Sequence, residues 1–194
     1  MGPVPADKPR HLQNSHDLIL SIVPLVLICL ALAGLARGCS FSPGGPTAAP
    51  PPTVDAAQIY TDDAAAESYP IREPAMPDGW VANSSSNAKI GGTAGGTVVR
   101  VGYITSGGSY LKLAQSSATV QQLVPEEVDT LDGTSASGSM VVGGATWDVY
   151  AKKGSEPAWV SDLGPVRLLI TGSGSDAEFA QLATAVLARP PLAG

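Results

Sequence analysis

Nineteen consecutive residues without a charge, Leu18–Ala36 (LILSIVPLVLICLALAGLA), constrain this chain more than any other feature. At about 1.5 Å per helical residue the run spans roughly the ~30 Å hydrocarbon core of a bilayer. A helix buried in a soluble core is the competing reading, but such a helix usually carries a polar face. None occurs anywhere in this run. Ser21 can hydrogen-bond to its own helix backbone, and Pro24 is tolerated in membrane helices more readily than in soluble ones. The sequence therefore predicts a single transmembrane helix over residues 18–36, preceded by a tail over residues 1–17.

Charge flanking the run gives its direction. Lys8, Arg10 and the α-amino group precede it, Arg37 alone follows, and the next base is Arg72. Short basic flanks stay on the cytoplasmic side. The N-terminus is thus expected inside, with the rest outside the cytoplasmic membrane. Two rival readings involve cleavage. Ala31-Leu32-Ala33 is an acceptable signal-peptidase site, but the apolar run exceeds the usual 7–15-residue signal core. Ala36-Arg37-Gly38-Cys39 resembles a lipoprotein box, which would make Cys39 a lipidated N-terminus. Arg37 stands where such boxes have a small residue.

Residues 37–54 form the expected tether. Its stretch SPGGPTAAPPPT (Ser42–Thr53) has five prolines and nothing that builds a core, so it should be extended and semi-rigid. A domain over residues 55–194 follows. Asp55 to about Ser68 reads as a helix whose polar side carries Asp55, Asp62, Asp63 and Glu67.

After Tyr69 the pattern becomes the alternation of half-buried strands. Val99, Val101 and Tyr103 share one face with Arg100 opposite. After a Gly107-Gly108 turn, Leu111 and Leu113 alternate with Lys112. A second hairpin joins SMVV to ATWDVYAK through Gly143-Gly144, and a third joins PAWVSDL to VRLLITG through Gly164-Pro165. Ser175 and Glu178 make a capping box for a final helix, whose Phe179, Leu182, Ala183, Val186 and Leu187 lie on one stripe until Pro190-Pro191. The expected fold class is α+β: an N-terminal transmembrane helix, then an antiparallel sheet of five to seven strands packed by a C-terminal helix.

Composition removes several chemistries from the outer domain. His11, His16, Cys29 and Cys39 are the chain's His and Cys residues, so residues 55–194 contain neither type. The usual general base, thiol nucleophile and soft metal ligands are missing together. Past Gly38 there are 15 acids against 8 bases, with no basic stripe to attract a phosphate backbone. Nucleic acid is not an expected partner.

Four motifs invite sharper readings. GGTAGG (Gly91–Gly96) lacks the Lys-Ser/Thr of a P-loop and reads as a hairpin or strand-entry loop. Asn83-Ser84-Ser85 matches a glycosylation acceptor, a match frequent by chance. Glu126, Glu127, Asp129 and Asp132 lack the alternating oxygen pattern of a calcium loop and read as a solvated connection. Trp80, Trp147 and Trp159 fall in predicted strands and read as core, the alternative being that one or two line a groove for a glycan or lipid. No catalytic, cofactor-binding or metal-ligating residue is assigned, and no cofactor is expected.

HDLILSI (His16–Ile22), PDGW (Pro77–Trp80), RVGYIT (Arg100–Thr105), YLKLAQS (Tyr110–Ser116), the Trp147/Tyr150 strand and the final helix together resemble an actinobacterial, mycobacterial-type family catalogued as domain of unknown function 4245. The resemblance implies one N-terminal anchor and an envelope-facing domain, and it brings no activity or catalytic residues. The tether is longer here than in the family. The resulting expectation is a non-enzymatic binding or scaffolding module of the cell envelope, with the membrane and an envelope protein, glycan or lipid as partners. The alternatives are an envelope sensor acting through a membrane partner and a lipid or glycolipid carrier.

Overall fold

The computed structural model describes residues 15–35, 52–91 and 95–193. The chain divides into two compact units, residues 1–49 and residues 50–194. Most of the expected tail and tether, with Cys39, lies outside the described residues.

In the first unit, helix α1 runs over Ser15–Leu35 with Pro24 inside it. Leu20, Ile22, Val23, Leu25, Val26, Leu27, Ile28 and Leu30 are all exposed. Among the described residues no helix is long and apolar enough to cross a membrane. The uncharged run extends on both sides of the side chains described, which cover residues 20 and 22–31.

The second unit is α+β. Its seven strands are β1 (Val81–Lys89), β2 (Thr97–Ile104), β3 (Tyr110–Ser116), β4 (Gly138–Val142), β5 (Ala145–Tyr150), β6 (Ala158–Asp162) and β7 (Arg167–Gly172). They form one antiparallel sheet in the order β1-β2-β3-β7-β6-β5-β4. Two meanders are therefore joined by one long connection, which leaves β3 and returns at the far edge as β4. That connection carries helix α3 (Val120–Glu127) and a 3₁₀ turn at Asp129–Leu131. Helix α2 (Ala56–Ala66) precedes the sheet and α4 (Asp176–Leu187) follows it.

The three expected hairpins are present, each set by its turn. At the β4–β5 turn, Gly143 and Gly144 have φ of 62° and 84°, the paired positive values of a type I′ turn, so Val142 sits opposite Ala145. Helix α4 begins where the capping box placed it: Glu178 N donates to Ser175 Oγ and Ser175 N donates to Glu178 Oε2.

The first face of the sheet carries the larger core. Val99, Val101, Tyr103, Leu111, Leu113, Leu168, Ile170, Trp147 and Trp159 meet Tyr60 of α2 and Phe179, Leu182, Ala183 and Val186 of α4. The Trp159 and Phe179 rings lie 5.2 Å apart, tilted by 46°, within the range of favourable aromatic contacts. The Tyr60 and Tyr103 hydroxyls hydrogen-bond at 2.7 Å inside this core. Burial raises both phenols well above the ordinary value, so both stay neutral.

Four sequence expectations need correction. The sheet is not covered on one face alone: Val98, Ala114, Leu169, Ala158 and Val160 build a second core under Leu123 and Val124 of α3. Segment 120–132 is therefore not simply a solvated connection. Its Leu123, Val124 and Leu131 are buried, and the Glu127 side chain has no exposed surface. Asp63, assigned to the polar side of α2, is 5% exposed, because α2 turns it toward β1, where Asn87 Nδ2 donates to its Oδ1. The first strand, β1, was absent from the expected set.

Candidate functional site

Of the residues singled out from the sequence, two tryptophans are core. Trp147 is fully buried and donates Nε1–H to Val142 O at 3.2 Å, and Trp159 is 2% exposed. Neither lines an exposed groove. Trp80 is not in a strand: it lies just before β1, half-buried against the first core. Gly91–Gly96 belongs to the β1–β2 connection, of which residues 92–94 lie outside the described residues. Asn83-Ser84-Ser85 lies within β1 at the sheet edge. Among the described residues no group of three or more His, Cys, Asp or Glu is placed to hold a metal ion.

The polar constellation that the fold does assemble is on the second face. Arg100 of β2 pairs in register with Ala114, and Lys112 of β3 with Gly102. The two cations are thus diagonal neighbours on one side of the sheet. Helix α3 brings two carboxylates to them. Glu127 Oε1 accepts from Arg100 Nε at 2.7 Å, Glu127 Oε2 lies 2.8 Å from Lys112 Nζ, and Glu126 Oε1 accepts from Arg100 Nη2 at 3.1 Å. The side chains of Arg100 and Lys112 are 14% and 22% exposed, against none for Glu127. A carboxylate removed from water this completely needs both partners, since a buried unpaired charge costs several kcal/mol.

This cluster marks the border of the second core. Helix α3 packs over β7 and β6, covers Val98 and Ala114, and reaches Arg100 and Lys112 through its two carboxylates. A pocket of about 250 Å³ lies beside the two cations, lined by Ser84, Ser85, Ser86, Arg100, Gly102, Tyr110 and Lys112. Tyr110 forms part of its wall, and the phenol end of the ring occupies the space a side chain at position 102 would need. The pocket therefore depends on glycine at that point. Most of its exposed wall is apolar, and its polar groups are the hydroxyls of Ser84 and Ser86, which the register puts on the Arg100 face, and of Tyr110, beside a guanidinium and an ammonium whose charges are balanced by α3.

Sequence reading missed this site, although part of its signal was there. Arg100 and Lys112 each interrupt an apolar alternation in neighbouring hairpin strands, which puts two cations on one face. A face of that kind needs an acid from elsewhere, and Glu126-Glu127 was the available pair.

A second polar feature lies at the same β1 edge, beside a pocket that shares Ser85 and Ser86 with the first. Asp63 Oδ2 is buried and has no hydrogen-bond partner among the described residues. Desolvation raises its carboxyl above the ordinary value. Asn87 pulls it back, and the charges of Glu67 and Asp62 push it further up. Glu67 in turn accepts from the Thr97 hydroxyl. Both groups tie α2 to the β1–β2 edge of the sheet. They are better placed to fix that helix than to bind a ligand.

No curated protein and no solved structure matches the chain. The family described as "Protein of unknown function (DUF4245)" matches residues 10–186, a span that takes in the second half of the tail, the uncharged run and the whole sheet. With most of its length matched, the chain belongs to the DUF4245 family.

Proposed function

We propose that this protein is a single-pass, membrane-anchored binding or scaffolding module of the cell envelope, held with its N-terminus inside and its α+β domain outside, and that it is not an enzyme. The observation that carries the reading is the contrast between the two units. The domain closes both of its cores among residues 56–192. Helix α1, by contrast, exposes a continuous set of large apolar side chains. A domain with its own core needs nothing from such a helix, and an exposed apolar helix has a use where lipid surrounds it. The sequence of Ser42–Thr53, with five prolines, has the composition of a semi-rigid spacer.

Chemistry favours holding over transformation. Residues 55–194 supply no imidazole or thiol. The Arg100–Glu127–Lys112 cluster is locked in mutual ion pairs, an arrangement suited to rigid presentation of a surface.

Two measurements on intact cells test the proposal. Carbonate extraction should leave the full-length chain in the membrane fraction, and external protease should degrade the domain while sparing the tail. In-cell crosslinking from the domain should then recover an envelope or membrane component. A chain released by carbonate, a protected domain or an empty crosslinking result would each count against the reading.

A further inference from the structure

We infer that the pocket between Arg100, Lys112, Tyr110 and the β1 serines is a saccharide site, taking one uncharged sugar ring of an envelope oligo- or polysaccharide. The inference rests on the binding-module reading above and names its ligand class.

Charge decides first. Arg100 and Lys112 are met by Glu126 and Glu127, so the cluster has two positive and two negative groups. An anionic ligand such as phosphate would find both cations already neutralised by Glu126 and Glu127, and Glu127 has no exposed surface to retreat into. A neutral polyol makes no such demand. It exchanges hydrogen bonds with the edge of the cluster and leaves the ion pairs intact.

Hydrogen-bonding capacity agrees. Arg100 engages Glu127 through Nε and Glu126 through Nη2, which leaves Nη1 without a partner among the described residues. The Ser86 and Tyr110 hydroxyls, which line the pocket, likewise have none among the described residues. A fixed guanidinium donor beside two hydroxyls that can each give or accept matches a sugar, whose every hydroxyl does both. Tyr110 adds an apolar wall with a polar tip, the amphipathic surface on which the C–H side of a sugar ring can rest. Size completes the case. About 250 Å³ is below the ~300–1,000 Å³ of pockets for drug-sized ligands and is on the scale of a single ring.

The test uses the full-length chain in nanodiscs and saturation-transfer NMR with three probes: cellobiose, mannobiose and chitobiose, each at about 10 mM, a concentration that reveals millimolar binding. At least one should receive magnetisation from the protein. The Ser86→Ala/Tyr110→Phe double variant should weaken that probe at least fivefold while the protein keeps its unfolding midpoint, because both positions line the pocket and neither is fully buried. Inorganic phosphate should not compete. No transfer to any probe overturns the inference, as does a response that the double variant leaves unchanged. Displacement by phosphate overturns it in favour of an anion site. A crosslinked envelope partner that both substitutions leave in place keeps the binding-module reading and removes this one. Loss of membrane retention with sugar binding intact does the reverse.

Discussion

Gln115 in β3 and Arg72 in the segment entering the sheet exchange two hydrogen bonds, Gln115 Nε2 donating to Arg72 O at 2.7 Å and Arg72 N donating to Gln115 Oε1 at 2.8 Å. A side-chain amide thus copies the pairing of a strand neighbour and pins an irregular segment over the first core, where Gln115 is fully buried. Ile71 and Tyr69 are buried beside it, and Tyr69 also donates its hydroxyl to Gln115 O. Gln115→Ala removes both bonds and strands two backbone groups. The expected loss is about 2–3 kcal/mol, from ~1 kcal/mol per bond plus the cost of an unmet buried donor. A lowered urea midpoint should report it, and Gln115→Leu should not recover it, because shape alone leaves Arg72 N and O unpaired.

Glu127 holds two cations, and its removal should cost more than the loss of an ordinary surface pair. With Glu127→Gln, Arg100 and Lys112 remain diagonal neighbours on the sheet and repel each other. Breaking a buried pair costs about 3–5 kcal/mol, and the partial exposure of both cations reduces this to roughly 2–3 kcal/mol. Glu126→Gln, at a side chain 40% exposed, should cost no more than about 0.5 kcal/mol. Chemical unfolding of the two variants side by side checks the ratio, which is more telling than either value.

Two carboxylates should give opposite pH slopes. The folded-state carboxyl of Asp63 is raised above its unfolded value, mainly by desolvation, so the folded protein binds that proton more tightly than the unfolded chain does. The stability this provides is present below the ordinary carboxylate value and is lost as pH climbs through the raised one. Glu178 is held below its ordinary value by hydrogen bonds, first from Thr105 and then from Ser175. Its contribution is present above the ordinary value and is lost as pH falls through the lowered one. Asp63→Asn keeps an acceptor for Asn87 and removes the charge, so it should flatten the loss of stability as pH climbs from the ordinary carboxylate range, about 4, toward neutrality. Ser175→Ala should remove part of the acid-side loss and about 1 kcal/mol of helix capping. Thermal melts across that pH range distinguish the two.

The elements legible in the sequence were those whose own residues carry a period. Strands β2, β3, β5 and β7 alternate, and α4 has both a capping box and an apolar stripe. Strand β1 (VANSSSNAK) has neither. It is an edge strand paired to β2 by backbone bonds from Val81 to Lys89, and a pairing of that kind leaves no trace in side-chain polarity. Helix α3 was hidden differently. It is eight residues long, contains Pro125 and ends in two acids, so that only Leu123 and Val124 mark its buried side. The pocket was hidden because it needs both missed elements: β1 provides its serines and α3 the carboxylates that balance its cations.

Two glycines beside Tyr110 should respond very differently to an added methyl group. At Gly102 the nearest atoms to a new Cβ are Ser84 Oγ and the phenol end of Tyr110, with Tyr110 Cε2 at 2.7 Å. These are the ends of side chains that line the pocket, and they can swing aside. Gly102→Ala should therefore cost about 1 kcal/mol or less in stability while displacing Tyr110 from the pocket. At Gly172 the obstacles are backbone, Tyr110 O and C and Leu111 Cα, and φ is 141°, a value that alanine rarely adopts. Leu111 and Gly172 are register partners in the central β3–β7 pair, so neither strand can retreat without breaking the sheet. Gly172→Ala should cost about 3 kcal/mol or more, from strain and lost pairing together. Urea unfolding measures the two costs. The Tyr110 ring resonances separate the mechanisms, shifting in folded Gly102→Ala at little cost in stability. A Gly172→Ala variant as stable as the parent would mean that β3 and β7 are not paired in this register.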